Sequence, residues 1–220
     1  MTQLFQWRWH PPILAAADPA TKAVPEWLRE IWALRGEVFY DGGARPQFKI
    51  GADRFEDSDP GDFWAFHVTC HCDGKAVGCV RVLPLVGPTL GVAEQVLGTA
   101  AIERMLASLE CSREKAFEGG RWVVHDSMRN RRAAQMLIAG AMLVAATAKL
   151  TIGICAVGMK RKQDAMLRRL GFNNVPGVEP VFIERFEDTI RMVYVRPSKL
   201  ERYLSKLMDE MSVNLGLQNP

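Results

Sequence analysis

One stretch of the sequence places a group of arginines between an apolar strand and a buried helix, an arrangement that could bind an anion. Residues 133–150 are almost all alanine, leucine, methionine, isoleucine or valine, as in a helix buried on most sides. A β-strand is predicted just before this helix, on Trp122, Val123 and Val124. Three basic residues lie between the two elements: Arg129, Arg131 and Arg132. The free N–H groups and positive dipole end of a helix favour a phosphate there. The alternative is a core helix that Asp126 or Ser127 caps, with the arginines in water.

A second basic residue, Arg81, falls in the middle of a predicted hairpin. Asp73-Gly74 is a strong two-residue turn signal between two runs of β-forming residues. The turn places Cys72 opposite Lys75 and Phe66 opposite Arg81. Since an unpaired buried guanidinium would be costly, we expect a carboxylate partner for Arg81.

Acidic residues that could act as a base lie in two places. The run from Asp53 to Asp59 holds four carboxylates and forms either a solvated turn or a mobile loop that offers a base. Glu118 lies at the start of the strand that also carries Arg121. It is either the partner of Arg81 or Arg121, or a catalytic group.

The cysteines and histidines lack the spacing of a metal site. There are five cysteines, an odd number. In the predicted hairpin Cys70 and Cys72 share a strand face and Cys79 lies diagonal to Cys70, so that a disulfide is conceivable, although reduced buried cysteine is the default inside cells. His67 and His71 also share a face, but no third ligand is in view. We therefore expect no metal.

Composition indicates an ordinary globular protein of 220 residues. The hydrophobic fraction is 48% and the charged fraction 24%, enough for a sizeable core. A net charge of +3 is too small to argue for nucleic acid, but permits an acidic partner where arginines cluster. No apolar run reaches the roughly 18 residues of a membrane span, and Met1 to His10 contain no apolar signal core, so we expect a cytoplasmic protein.

Hydrophobic periodicity and turn residues predict helices and strands along most of the chain. The predicted helices are Val24–Tyr40, Gly91–Leu109, Ala133–Leu150, Met159–Leu170 and Ser198–Met211. The predicted strands are Phe63–Cys72, Lys75–Leu85, a strand at Glu118–Val124, Thr151–Val157, Pro180–Phe186 and Thr189–Arg196. This order predicts an α/β fold with one mixed sheet, parallel near its middle, and helices on both faces. We divide the chain into an irregular arm (1–24), a single domain (25–212) and a loose tail (213–220).

Four short motifs in this order resemble those of a known family. Arg35 precedes Phe39 by four residues at the end of the first helix. The other three pieces are Asp53-Arg54-Phe55-Glu56, Gly78-Cys79-Val80-Arg81-Val82-Leu83-Pro84 and Glu118-Gly119-Gly120-Arg121. The chain resembles the GNAT acyltransferases, and within them the acyl-homoserine-lactone synthases and N-acyl amino acid synthases. The resemblance implies a GNAT-like sheet with a splayed parallel pair at its centre.

Departures from the family pattern bear on the product. The lactone synthases carry a Trp within the region that matches Gly43 to Phe48, and a Glu where this chain has Gly51. In that family both residues take part in binding or activating S-adenosylmethionine. This chain has neither residue, which favours a resemblance to the N-acyl amino acid synthases. The GNAT phosphate-binding motif begins with an Arg or Gln, which is Arg129 here. Its first glycine is replaced by Arg132, and Ala134 occupies its second position for a small residue. A side chain at the position of the first glycine crowds a pyrophosphate more than it crowds the single phosphate of a carrier protein.

The resemblance implies attack by an amine on an acyl thioester, for which the protein aligns the reactants, accepts a proton and stabilises the oxyanion. The candidate bases are Glu118, Asp53, Glu56 and His125, of which we favour Glu118, or Asp53 acting through water. The acceptor would contact Phe39, and its carboxylate could be held by a guanidinium fork from Arg35, Arg81 or Arg121. The acyl donor would be bound by the backbone at Trp122, Val123 and Val124 and by Arg129, Arg131 and Arg132. The segment Lys160–Arg169 would face the phosphate and an acidic carrier protein, or else only water.

Three functions remain from the sequence. The first is an N-acyltransferase that uses acyl-carrier-protein or CoA thioesters, with no tightly bound cofactor, to make an N-acyl amino acid. The second is a lactone (autoinducer) synthase that uses S-adenosylmethionine, as in quorum sensing. The third is a GNAT-shaped binding module without catalysis. Residues expected to line an acyl tunnel are Met105, Leu106, Met142 and Val144.

Overall fold

The computed structural model describes residues 5–13, 23–128 and 132–218. The strands are β1 Phe5–His10, β2 Phe66–Cys72, β3 Lys75–Pro84, β4 Ala116–Val124, β5 Ile152–Gly158, β6 Asn173–Asn174, β7 Val181–Ile183 and β8 Asp188–Val195. The helices are α1 Glu26–Tyr40, α2 Val92–Leu97, α3 Thr99–Ser108, α4 Ala133–Thr147, α5 Gln163–Arg169 and α6 Arg202–Leu215. None of the helices in these described ranges is long and apolar enough to cross a membrane.

All strands form one mixed sheet, as the sequence predicts. The order is β1-β2-β3-β4-β5-β8-β6, and β7 also pairs with β8. Only β4 and β5 run parallel, and they pair over a short distance, Ala116–Glu118 against Ile152–Ile154. Beyond these residues the two strands continue without pairing, so the centre of the sheet splays into a gap.

Helices cover both faces of the sheet. On one face α4 is buried along most of its length and packs between the sheet and α6, which explains its uniformly apolar sequence. The other face carries α2 and α3, which pack on β5 and β8. On this face α1 contributes Ile31 and Leu34, which contact Cys79 and Val123. The predicted helix–sheet–helix architecture is confirmed.

The hairpin contains a β-bulge that changes its register. Cys72 lies opposite Lys75 as predicted, but Phe66 lies opposite Val82 and not Arg81, because the pairing shifts by one residue between Cys70 and His71. A one-residue shift moves a side chain to the other face of the sheet. Cys70 therefore packs under α4 and Cys79 under α1. None of the five cysteines forms a disulfide.

Several element boundaries differ from the prediction. The arm expected to be irregular contains β1, which pairs with β2 along its whole length, and Trp7 and Trp9 pack against the main core. The helix expected over Gly91–Leu109 breaks at Gly98, whose φ is +82°. The short strand Asn173–Asn174 was missed; its pairing with β8 is not visible in local periodicity.

The ends of α4, α5 and α6 also differ. Neither Asp126 nor Ser127 caps α4, because both lie in a separate 3-10 turn. The helix α5 begins at Gln163 and not at Met159, because Lys162 before it adopts a left-handed φ of +57°. The N–H groups of Met159 and Lys160 donate to Asp188. The helix α6 begins at Arg202 and extends to Leu215, beyond the expected tail boundary, without a cap from Ser198.

Candidate active site

The gap between β4 and β5 arises from local features of β4. Gly119 and Gly120 pair regularly with Val82 and Arg81 of β3, but the register shifts directly after them, at Arg121, which adopts a left-handed φ of +51°. The N–H of His125 donates to Val77 O at 2.9 Å, so this edge of the strand faces β3. Because N–H directions alternate along a strand, the Val124 N–H points the other way, into the gap.

Three cavities meet at this gap. The outer cavity, of about 500 Å³, follows Trp122, Val123 and Val124 and is bordered by Arg45, Lys160 and Arg161. The inner apolar cavity, of about 160 Å³, is lined by Val80, Ile138, Met142, Leu167 and Phe172, among others. The acid cavity, of about 140 Å³, is lined by Glu118, Arg121, Asp188, Arg45, Phe48 and Phe186, among others. Phe39 and Gln163 line all three, so we treat them as parts of one cleft.

A buried ion network lies under the cleft, centred on Asp62. Arg35 donates to both carboxylate oxygens of Asp62, at 3.0 and 2.5 Å. Trp32 Nε1 donates to Oδ2 at 2.7 Å, and Arg81 donates to Oδ1 at 3.1 Å. The four donor nitrogen atoms belong to two residues of α1 and one of β3. The side chains of Arg35, Arg81 and Asp62 are at most 1% exposed. The carboxylate partner expected for Arg81 is thus present.

The network continues to the surface of the cleft through the acidic loop. Arg121 donates to Asp57 at 2.8 Å and to Asp59 at 2.6 Å. Asp57 also lies 2.9 Å from Arg35 Nε, and Asp59 lies 3.1 Å from Arg81. Two of the three aspartates of the loop, Asp57 and Asp59, therefore hold it in place, and it is not the solvated turn that its composition suggests.

Glu118 forms the inner end of the acid cavity. It is 1% exposed, and its two oxygens accept hydrogen bonds from the N–H groups of Val92 and Ala93, at 3.0 and 2.7 Å, at the start of α2. Arg81 Nη2 lies 3.7 Å away. Gly91 permits this approach, since a Cβ there would lie 2.3 Å from Glu118 Oε2.

Burial and charge move the pKa values of these carboxyl groups in opposite directions. Burial opposes ionisation of Asp62, but Arg35 and Arg81 outweigh it and hold its pKa well below the usual range. Burial raises the pKa of Glu118, only partly offset by Arg81 and the α2 N–H groups. Burial likewise raises the pKa of Asp57. Burial thus favours the protonated form of Glu118, the carboxyl group that lines the acid cavity, relative to an exposed glutamate.

The structure separates the predicted catalytic residues. Glu118 faces the cleft, and Arg35, Arg81 and Arg121 gather around it and the acidic loop. Asp53 and Glu56 line a different depression, on the far side of α1 beside Arg29. His125 lies at the rim of another depression, where its Nε2 is 3.7 Å from the exposed Glu37.

Of the residues predicted to bind the acyl donor, some border the cleft and others do not. Trp122, Val123 and Val124 border the outer cavity. Arg132 instead pairs with Glu210 of α6 at 3.1 Å, and both side chains are about half exposed. Arg129 and Arg131 lie outside the described residues. Of the expected tunnel residues, Met142 lines the inner apolar cavity, Val144 is buried in the same α4 core, and Met105 and Leu106 pack in the separate core of α3.

Sequence reasoning missed several residues that shape the site. Asp62 was not predicted, and Asp57 and Asp59 were predicted only as members of an acidic run. A carboxylate close in sequence to the strand of Arg81 was the available signal for Asp62. Arg45 and Gln163 carry no motif, and only the folded arrangement brings them to the cleft. Within the described residues, no group of three or more His, Cys, Asp or Glu side chains is placed to hold a metal.

One family of known proteins matches part of the chain. The acetyltransferase (GNAT) domain family matches residues 34–139, just under half of the sequence. No curated protein sequence matches the chain.

Solved structures resemble the whole chain. The CoA-dependent acyl-homoserine lactone synthase BjaI, in complex with MTA, is 12% identical with a TM-score of 0.63, over 98% of this chain and 94% of BjaI. TofI, in a ternary complex with an inhibitor and MTA, is 18% identical with a TM-score of 0.62, over 93% and 96% of the two chains. FeeM, an N-acyl amino acid synthase from uncultured soil microbes, is 12% identical with a TM-score of 0.60, over 90% and 93%. At these identities the likeness establishes the fold alone, which is the GNAT fold.

Proposed function

We propose that this protein of GNAT fold is an acyltransferase, and that it moves an acyl group from a pantetheine thioester to the amino group of an amino acid. The observation that carries the proposal is the junction of three cavities at the splayed strands. The large outer cavity would hold a pantetheine arm, the apolar cavity an acyl chain, and the acid cavity, which Glu118 lines, an amine. Each occupant would reach the gap beside β4.

The donor fits the outer and inner cavities. The outer cavity is large enough for a pantetheine arm, and the Val124 N–H points into the gap beside it, where it can donate to an amide carbonyl of that arm. Lys160 and Arg161 at the rim can bind its phosphate. The acyl chain would enter the inner cavity, whose apolar lining includes Ile138, Met142 and Phe172.

The acid cavity provides the base. An α-amino group has a pKa near 8 in water, so a carboxylate with a raised pKa can accept its proton. The amine nitrogen attacks the thioester carbonyl, the new C–N bond forms, and the C–S bond then breaks to release the pantetheine thiolate, which takes up a proton. Glu118 accepts the proton that the attacking nitrogen loses. The positions of Asp53 and Glu56 on the far side of α1 make Glu118 the better candidate.

Both carrier protein and CoA remain possible donors in this proposal. An acidic acyl carrier protein would dock on the basic rim of the outer cavity, near Lys160 and Arg161. The phosphate motif has Arg132 where a glycine is usual, which favours the single phosphate of a carrier protein over a pyrophosphate. Arg132, however, is turned toward Glu210 of α6. Both donors therefore belong in the assay.

A second candidate is a lactone synthase, and the fold similarity to BjaI and TofI, each solved with MTA, is the observation that favours it. The absence of a Trp in Gly43–Phe48 and of a Glu at position 51 weighs against it. The binding-module alternative loses support because Arg81 and Arg121 point inward and the cleft is open.

The test is incubation of the purified protein with acyl-CoA and acyl carrier protein thioesters of several chain lengths and a panel of amino acids. We expect an N-acyl amino acid by mass spectrometry, together with release of free thiol, and loss of both in Glu118→Gln. S-adenosylmethionine is included, and release of methylthioadenosine with an acyl lactone would establish the second candidate. A folded protein that acylates no member of the panel would contradict the proposal.

A further inference from the structure

The three arginines that carry the family motifs already hold protein carboxylates. Arg35 is bound to Asp62 and Asp57, and Arg81 to Asp62 and Asp59. Arg121, which lines the acid cavity, donates its two terminal nitrogens to Asp57 and Asp59. Separating any of these pairs would leave a buried charge unpaired. An incoming carboxylate therefore needs a different cation.

Arg45 meets this requirement. It follows α1 in the chain, and its backbone N–H donates to Tyr40 O at 3.2 Å, which fixes the turn that carries it. Its side chain is half-buried and lines both the outer cavity and the acid cavity. Among the side chains that the structure describes, none forms an ion pair or hydrogen bond with the Arg45 guanidinium. Lys160 and Arg161 line the outer cavity but not the acid cavity.

The charges around the acid cavity are arranged for a zwitterion. Glu118 lies at its inner end, and Asp188 is also part of its lining, so an ammonium group is attracted inward. Arg45 lies at the junction with the outer cavity and can bind a carboxylate through its guanidinium fork. The remaining walls are apolar and include Phe48, Phe186 and Ile190.

We propose that Arg45 binds the carboxylate of the acceptor, and that the acceptor is an α-amino acid with an apolar side chain. This inference rests on the proposed acyl transfer and names the class of its acceptor. In this arrangement the amino group faces Glu118 and the gap, the carboxylate faces Arg45, and the side chain lies against Phe48 and Phe186. The motif arginines then have a positioning role, because they hold the acidic loop and the base.

The experiment compares leucine with leucinamide, which has the same shape but no negative charge, in the wild type and in Arg45→Met. With an acyl thioester held at saturation, we expect Arg45→Met to raise the KM for leucine about tenfold or more and to leave the KM for leucinamide nearly unchanged. Arg45→Lys should recover part of the loss for leucine. Arg29→Met is the matched control, because Arg29 is exposed on α1 and lies away from the cleft.

Equal changes for leucine and leucinamide, or an increase in the KM for the thioester alone, would overturn the inference while leaving acyl transfer intact. In the second case Arg45 would be a donor-phosphate ligand. Binding of N-octanoyl-leucine and N-octanoyl-leucinamide, measured by calorimetry, gives a readout without turnover. If the wild type acylates nothing but binds the acid more tightly than the amide in an Arg45-dependent way, the proposed function fails and the carboxylate site stands. If Arg45→Met binds N-octanoyl-leucine as tightly as the wild type does, the proposed carboxylate site at Arg45 is wrong as well.

Discussion

The basic residues of this protein belong to two regions that behave differently. Beneath the cleft, Arg35 and Arg81 are buried and paired with Asp62 and its neighbours. Around the mouth of the cleft, Arg45 and Lys160 are half-buried or exposed and border open space. In the proposed function, the first region positions the base and the loop, and the second binds the ligands. The residues that carry a recognisable motif would then not be those that contact the substrate.

The physical reason for the difference is solvation. A guanidinium in the protein interior requires several well-placed acceptors, and once they are present it has little capacity left for another anion. A guanidinium at the surface keeps its water and exchanges it readily for a phosphate or carboxylate. We expect substitutions in the buried region to change stability first, and substitutions at the mouth to change substrate binding first.

The largest expected effect is on the centre of the buried network. Asp62→Asn removes the charge that Arg35 and Arg81 share, and we expect a loss of about 3–5 kcal/mol in the free energy of unfolding. Urea denaturation measures it. Asp41→Asn, which removes a carboxylate from the exposed pair with Arg161, is the control and should change stability by less than about 1 kcal/mol. Equal losses in the two variants would remove the distinction between the regions.

Glu118→Gln tests the catalytic end of the buried region. The substitution keeps the shape of the side chain but removes the base, so we expect kcat to fall about a hundredfold or more. The same variant is measured by urea denaturation and circular dichroism, because Glu118 also accepts hydrogen bonds from the start of α2. A folded variant with near wild-type kcat would show that Glu118 is structural only.

The pH dependence of activity sharpens this assignment. Burial raises the pKa of Glu118 above its ordinary value, and only the deprotonated form can accept a proton. We therefore expect kcat to increase with pH through an inflection above the ordinary glutamate range. The free energy of unfolding should change in the opposite direction. A carboxyl group whose pKa is raised by folding stabilises the protein below its ordinary pKa, and this stabilisation is lost as the pH rises through the raised pKa. An inflection that persists in Glu118→Gln would assign the titration to another group.

A smaller effect is expected at the mouth of the outer cavity. The double variant Lys160→Met, Arg161→Met removes two charges that border this cavity, and we expect the KM for the acyl donor to rise several-fold with little change in kcat. The increase should shrink at high salt, because exposed charges are screened. Stability serves as the control and should stay near wild type. A fall in kcat with an unchanged donor KM would contradict the assignment.

The smallest effect is expected for the exposed pair between Arg132 and Glu210. Both side chains are about half in water, so Arg132→Met should change the free energy of unfolding by less than about 1 kcal/mol. Donor KM values measured on the same variant test whether Arg132 also contacts the phosphate, as the family motif predicts. A change in donor KM without a change in stability would place Arg132 with the ligand-binding cations.

Local signals in the sequence predicted much of the fold because their physical cause is local. Asp73-Gly74 specifies a tight turn, Gly171 with a φ of +95° ends α5, and the apolar run of α4 requires a buried helix. The strand β1 and the bulge at Cys70 were not predicted. Both depend on pairing with distant residues, which periodicity along one segment does not report.

The sequence by itself determined the order of elements, the mixed sheet and the presence of a buried partner for Arg81. It also singled out Glu118 and the backbone from Trp122 to Val124. Only the tertiary structure decided that Asp62 neutralises the buried arginines, and that Arg45 borders the cleft with no ion-pair partner among the described side chains. The reason is that a charge finds its partner through space. Folding brings α1, the acidic loop and two strands together around one carboxylate, and no spacing along the chain records which cation is left over.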